Sequence, residues 1–229
     1  MREPVEVRGS MLTSLKNPAP ACIRHLVVTL ILCLSTDPVA ATSVRQLTFA
    51  ELCDHSDLVI EGRVVAAEAR EDGLGGGIGT YIRIEVLDRL KGPDVGAELE
   101  LRFAGGTVAG HSLTISDLRI PEVGEVGIYF VESLRERHIN PLVGWSQGHF
   151  LELVDEQTGL PRVFTPDKRA VLGVGSSASS LPQRQILSGD GTALEVQVAA
   201  ARGPSQAAMS AIDFKTLVRQ GIAARGTPP

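Results

Sequence analysis

The chain has 229 residues, of which 43% are hydrophobic and 21% charged, with a net charge of −5. That is enough apolar material for a buried core, and aromatics at 4% leave aliphatic side chains to fill most of it. An acidic chain with few aromatics lacks the basic, stacking surface of nucleic-acid binders, so no nucleic-acid partner is expected.

Arg24 and His25 precede an apolar run from Leu26 to Leu34, and Pro38 leads into Val39-Ala40-Ala41. A charged flank, a short apolar segment and a small-residue site form the pattern of a signal peptide, here residues 1–41. The run is short for a bilayer span. The expected destination is therefore secreted or periplasmic, with no membrane contact after cleavage. Cleavage removes four basic and three acidic residues, taking the net charge from −5 to −6. It also leaves Cys53 without a cysteine partner in the same chain, so it is expected as a small buried hydrophobe.

Residues 48–57, TFAELCDHSD, open with Thr48 and Glu51 at capping-box spacing. Phe49, Leu52 and Cys53 then share a face of a short helix that stops near Ser56-Asp57. Strand-like segments follow at 58–67, 81–90, 99–103, 112–120, 126–131, 142–154 and 162–165, divided by Gly and Pro. Residues 173–208 are dominated by Gly, Ser, Ala, Gln and Pro and read mostly as linker, with one loose strand at 194–198. Ser210 and Asp213 then cap a terminal helix through FKTLVRQGIAA. The pattern predicts a mainly β fold, an antiparallel barrel or sandwich. Its divisions are a signal peptide (1–41), a β domain (42–165), a linker (166–208) and a C-terminal helix and tail (209–229).

Within 52–131, LCDHSDLVIEGRVVAAEA, YIRIEVLDRLKGPDVGAELELRFAGG and VGEVGIYFVES occur in that order. This order resembles the netrin-like domain of tissue inhibitors of metalloproteinases. It is also similar to uncharacterised bacterial secreted proteins that continue into a G-x-S-Q-G-x-F segment. The resemblance implies an OB-like five-stranded antiparallel barrel with a short N-terminal helix and a C-terminal helix. In the inhibitor family a mature N-terminal cysteine chelates the protease zinc. Here the expected mature start is Thr42-Ser43-Val44, and the family's disulfides are absent. The resemblance therefore bears on fold more than on protease inhibition.

Gly144-Trp145-Ser146-Gln147-Gly148 matches the G-x-S-x-G of serine hydrolases, in which a strand turns sharply into a helix and an acid and a histidine follow. Here the segment after Gly148 alternates like a strand, and His149 is the last histidine. That order excludes the usual elbow, and Ser146 is expected at a glycine-bracketed turn with Trp145 and Phe150 packed for structure. Cys53, Asp54, His55 and Asp57 are metal-ligand types, but Cys53 and His55 lie on different helix faces, and Asp54 and Asp57, which share one near the helix end, are expected to be solvated. His111, Asp117, His138 and His149 are dispersed. The glycines of 73–79 do not form G-x-G-x-x-G. No catalytic residue, metal or cofactor is expected. The candidate binding element is a glycine-rich polar loop carrying Gly105, Gly106, Thr107, Gly110 and His111, since loops on a rigid scaffold commonly carry binding. The functional expectation is an exported, non-enzymatic binding module whose partner is another secreted or envelope protein, such as a protease. The alternatives are a hydrolase using Ser146 and a structural envelope protein.

Overall fold

A computed structural model describes residues 43–73, 77–175, 186–188, 191–203, 205 and 207–224. The expected signal peptide, 1–41, lies outside the described residues.

Helix α1 (Phe49–His55) forms where the sequence predicts it. The Thr48 hydroxyl accepts from Glu51 N, and the Glu51 carboxylate accepts from Thr48 N. Its exposed last carbonyls receive a cation, because Lys91 Nζ donates to Cys53 O at 2.7 Å and Asp54 O at 3.2 Å. Phe49, Leu52 and Cys53 are buried, as their spacing requires.

The strands are β1 (Ser43–Arg45), β2 (Leu58–Asp72), β3 (Gly77–Lys91), β4 (Glu98–Ala104), β5 (Gly106–Val108), β6 (His111–Leu113), β7 (Val126–Val131), β8 (His149–Val154), β9 (Pro161–Phe164), β10 (Arg169–Val174), β11 (Ile186–Ser188) and β12 (Val196–Arg202). Helix α2 (Ala211–Ala223) follows, with Ser210 Oγ accepting from Asp213 N. Eight strands form one antiparallel sheet in the order β12-β10-β9-β8-β7-β2-β3-β4. β1 pairs with β11, and β5 with β6. The mainly β, antiparallel class is as expected, but the sheet is open, and among the described residues no ladder closes five strands into a barrel.

The sheet is nevertheless strongly curled. Val131 pairs with Leu58 at one end of β2, whereas Ala104 sits beside Gly79, which pairs with Arg70 near the other end. On a flat sheet those points stand roughly 40 Å apart. Residues 139–142 join them, because Ala104 N donates to Ile139 O and Val131 bridges to Leu142. Three register shifts in the β2–β3 ladder supply the bend. Gly62 sits among them, and a Cβ there would lie 2.3 Å from Ile84 Cγ2 and 2.9 Å from Glu85 O.

Alternation along the strands gives two apolar faces. Val59, Ile128, Phe130, Phe150 and Val163 meet Phe49 of α1 and Phe214 and Val218 of α2. Phe214 lies 4.7 Å from Phe150 and 5.7 Å from Phe49, ring centre to ring centre. On the other face Ile60, Ile82, Ile84, Leu101, Phe103 and Tyr129 pack inside the curl.

Two expectations need correction. Residues 112–120 do not form a continuous strand: only His111–Leu113 pair, and Asp117 takes a left-handed turn at φ 60°. The alternation there reflects Leu118 and Ile120 packing on the inner face as loop residues. The interval 166–208, expected as linker, contains β10, β11 and β12; β12 realises the loose strand expected at 194–198 and pairs with β10. Small residues are what that packing accommodates, for Ala170, Ala193 and Ala208 are all buried. The serine-rich 176–185 lies outside the described residues.

Candidate functional site

The expected binding loop is a β-hairpin. Thr107 pairs with Ser112 and Val108 with His111 across a two-residue turn, Ala109-Gly110. Both turn residues have positive φ, 49° and 84°, the conformation whose twist matches a hairpin. Thr107 Oγ1 and Ser112 Oγ lie 2.8 Å apart across the strands. Thr107, Gly110, His111, Ser112 and Leu113 are exposed.

The stem is anchored. Gly105 N donates to Ile78 O at 2.7 Å, and Thr80 Oγ1 donates to Gly105 O at 2.7 Å. Gly106 lies so close to β2 and β3 that a Cβ would meet Thr80 Oγ1 at 2.6 Å and Ala69 Cβ at 2.9 Å. The glycines therefore give close packing at the base and a tight turn at the tip, not a slack loop.

Beside this hairpin the loop 133–141 is tied to the sheet. Arg137 Nη2 donates to Asp72 Oδ1 at 2.6 Å, Arg102 pairs with Asp72 Oδ2, and Tyr81 Oη donates to Asp72 Oδ1 at 2.9 Å. Burial works to raise the Asp72 carboxyl, but these three donors outweigh it and hold it below its ordinary value. Between β4 and the loop lies a cavity of about 220 Å³, lined by Leu99, Arg102, Leu134, Arg137 and His138 among others. A larger cleft of about 500 Å³ opens at the β8–β9 turn beside Leu153, Val154, Arg162 and Phe164.

The GWSQG segment is a 3-10 turn, Trp145–Gly148, followed directly by β8. Ser146 Oγ donates to Gly191 O at 3.1 Å. Gln147 is buried; its Oε1 accepts from Leu47 N at 2.8 Å and its Nε2 donates to Arg45 O at 3.1 Å. The motif clips distant backbone segments together. Phe150 packs in the core, as expected, whereas Trp145 stands half-buried with a left-handed backbone.

Among the described residues the histidines do not converge. His111 is exposed and His138 half-buried. His149, which reads in sequence as an ordinary strand residue, is enclosed in a polar network. Its Nε2 lies 2.8 Å from Glu125 Oε1, bent away from a straight hydrogen bond, and Arg119 Nη1 approaches Nδ1 at 3.3 Å. Arg119 also forks onto Glu125 at 2.6 and 3.2 Å. Because the guanidinium can only donate, Nδ1 is the acceptor and the ring is neutral with its proton on Nε2. Burial lowers the His149 pKa despite the pull of Glu125. Burial also works to raise Glu125, but His149 and Arg119 overcome it and hold its pKa at about 2. The Tyr129 ring stacks on His149 at 5.0 Å, and burial drives its hydroxyl pKa up. This network pins loop 114–125 to β8. Sequence reasoning misses it because Arg119 and Glu125 flank a turn, 24 or more positions before His149.

Cys53 is buried, as expected, whereas Asp54, His55 and Asp57 are exposed. Among the described residues no three His, Cys, Asp or Glu side chains gather as metal ligands, and no helix is long and apolar enough to cross a membrane. Comparisons with protein-family models, with curated proteins and with solved structures find no match.

Proposed function

We propose that the protein is an exported, non-enzymatic binding module whose β5–β6 hairpin engages another secreted or envelope protein, such as a protease. The supporting observation is the hairpin itself. It presents Thr107, His111 and Leu113 to solvent on a two-residue turn, while its stem is packed onto β2 and β3. A conformationally fixed tip loses little entropy on binding, so its contacts translate more fully into affinity. The chemistry-bearing groups favour the same reading: Glu125, His149 and Arg119 are turned on one another, and Ser146 is held by Gly191 O. The motif order across 52–131 supports an OB-like kinship for the curl of β7, β2, β3 and β4.

The test is capture from the secreted fraction by protein spanning residues 42–229, compared with the combined variant Thr107→Ala, His111→Ala and Leu113→Ala. Specific capture lost in a variant that keeps its circular dichroism is the expected result. Undiminished capture removes the hairpin from the reading. Ester or peptide hydrolysis abolished by Ser146→Ala replaces the reading with a hydrolase.

A further inference from the structure

Helix α2 meets the sheet through charged groups as well as aromatic ones. Lys215 Nζ lies 2.6 Å from Glu61 Oε2 on β2 and 3.5 Å from Asp88 Oδ2 on β3. Arg219 Nη2 is 2.7 Å from the same Asp88 oxygen. Glu152 of β8 shares this seam. It is 92% buried, being 8% exposed, and its Oε1 has no hydrogen-bond partner. The other elements bring little charge: β7 contributes the neutral Tyr129 hydroxyl, and β9 sets apolar Val163 opposite Glu152.

A count of charges shows what the seam tolerates. With Glu152 protonated, Glu61 and Asp88 face Lys215 and Arg219, and the seam is neutral. With Glu152 ionised, one negative charge is left over, on a carboxylate with an oxygen that receives no donor. A buried, unmatched charge is strongly unfavourable. We propose that this seam is a proton-operated latch: the neutral acid of Glu152 lets α2 dock, and loss of its proton as the medium turns alkaline loosens the helix from the sheet.

The titration agrees in direction. Burial first, then the charge of Glu61, pushes the Glu152 pKa up from 4.5 to about 7, against the opposing pull of Lys215. A carboxyl whose pKa rises on docking contributes stability that is complete below its undocked value of 4.5. That contribution is lost as pH climbs through about 7. The latch therefore weakens from mildly acidic toward alkaline medium.

Hydrogen exchange of protein spanning residues 42–229, corrected for intrinsic rates, tests it. Between pH 4.5 and 8.5 the α2 amides are expected to lose protection by roughly 100-fold, while amides of β2 and β3 hold theirs. In Glu152→Gln, which keeps the shape without the proton, α2 protection should be flat with pH. Constant α2 protection in the wild type overturns the latch. So does a slope that persists in Glu152→Gln, or a loss shared equally by β2 and β3. If Glu152→Gln does not fold, Glu61→Gln decides. Removing that neighbouring charge leaves ionised Glu152 and Asp88 matched by Lys215 and Arg219, so the loss of protection should shrink and finish at lower pH, and an unchanged transition overturns the proposal.

Discussion

Replacing Glu125 by Gln tests the buried network of Arg119, Glu125 and His149. The substitution keeps the shape but removes the charge that Arg119 and His149 face at 2.6 and 2.8 Å. The fall of the carboxyl pKa from 4.5 to about 2 corresponds to about 3 kcal/mol of native stability at neutral pH. Leaving Arg119 without its partner acts in the same direction. The sign follows from a depressed carboxyl pKa: its contribution is complete above 4.5 and disappears as pH falls toward 2. His149 reinforces this, since its pKa is held below 6.5 and the neutral ring stabilises the fold in full only above that value. Urea unfolding followed by Trp145 fluorescence, at pH 7 and pH 3, measures both effects. Glu125→Gln should lose about 3 kcal/mol at pH 7 and show a much smaller further loss at pH 3 than the wild type. A loss under about 0.5 kcal/mol at pH 7, with the acid dependence of the wild type intact, would refute the role given to this network.

Gly62→Ala should destabilise by about 3 kcal/mol in the same urea assay, because the new methyl meets Ile84 Cγ2 at 2.3 Å and the Glu85 carbonyl at 2.9 Å. Gln147→Ala should cost about 2 kcal/mol by stranding Leu47 N and Arg45 O, whereas Ser146→Ala should stay within about 1 kcal/mol. Equal losses from the two would contradict the clip assigned to Gln147. Gly110→Ala places a side chain at φ 84° in open space. It should lower stability by about 1 kcal/mol through backbone strain alone and weaken partner capture more than it weakens the fold.

Local chemistry was the legible part of this sequence. Both helix starts followed from a hydroxyl and an acid three residues apart, Thr48 with Glu51 and Ser210 with Asp213, because capping is decided within one turn. β7 and β4 were readable from their own composition. The strand β10 was hidden and β12 showed only as a loose strand at 194–198, since Ala- and Gly-rich segments gain their strand character from neighbours in the sheet. The hairpin was legible as a flexible, glycine-rich connection between strands, but its fixed turn was not. Its turn depends on Ala109 adopting positive φ, which a residue with a Cβ does rarely. The network around His149 and the seam around Glu152 were beyond reach. Each joins side chains from separate elements, and the pairings exist only once the register of β2, β7 and β8 is set.

The pairing of β1 with β11 bears on how the chain reaches its native state. Ser43 lies against Ser188, and Leu47 O accepts from Leu194 N. The segment 43–47 therefore has no strand partner until residues 186–194 have been synthesised, and only Gln147 can hold Arg45 O and Leu47 N before then. During that interval β2 and β3 can form their long hairpin from neighbouring sequence, while the first residues of the domain wait unpaired. Contacts of such wide sequence separation are slow to form. We expect fastening of this segment to be among the last folding events, leaving it open to proteases and chaperones until then.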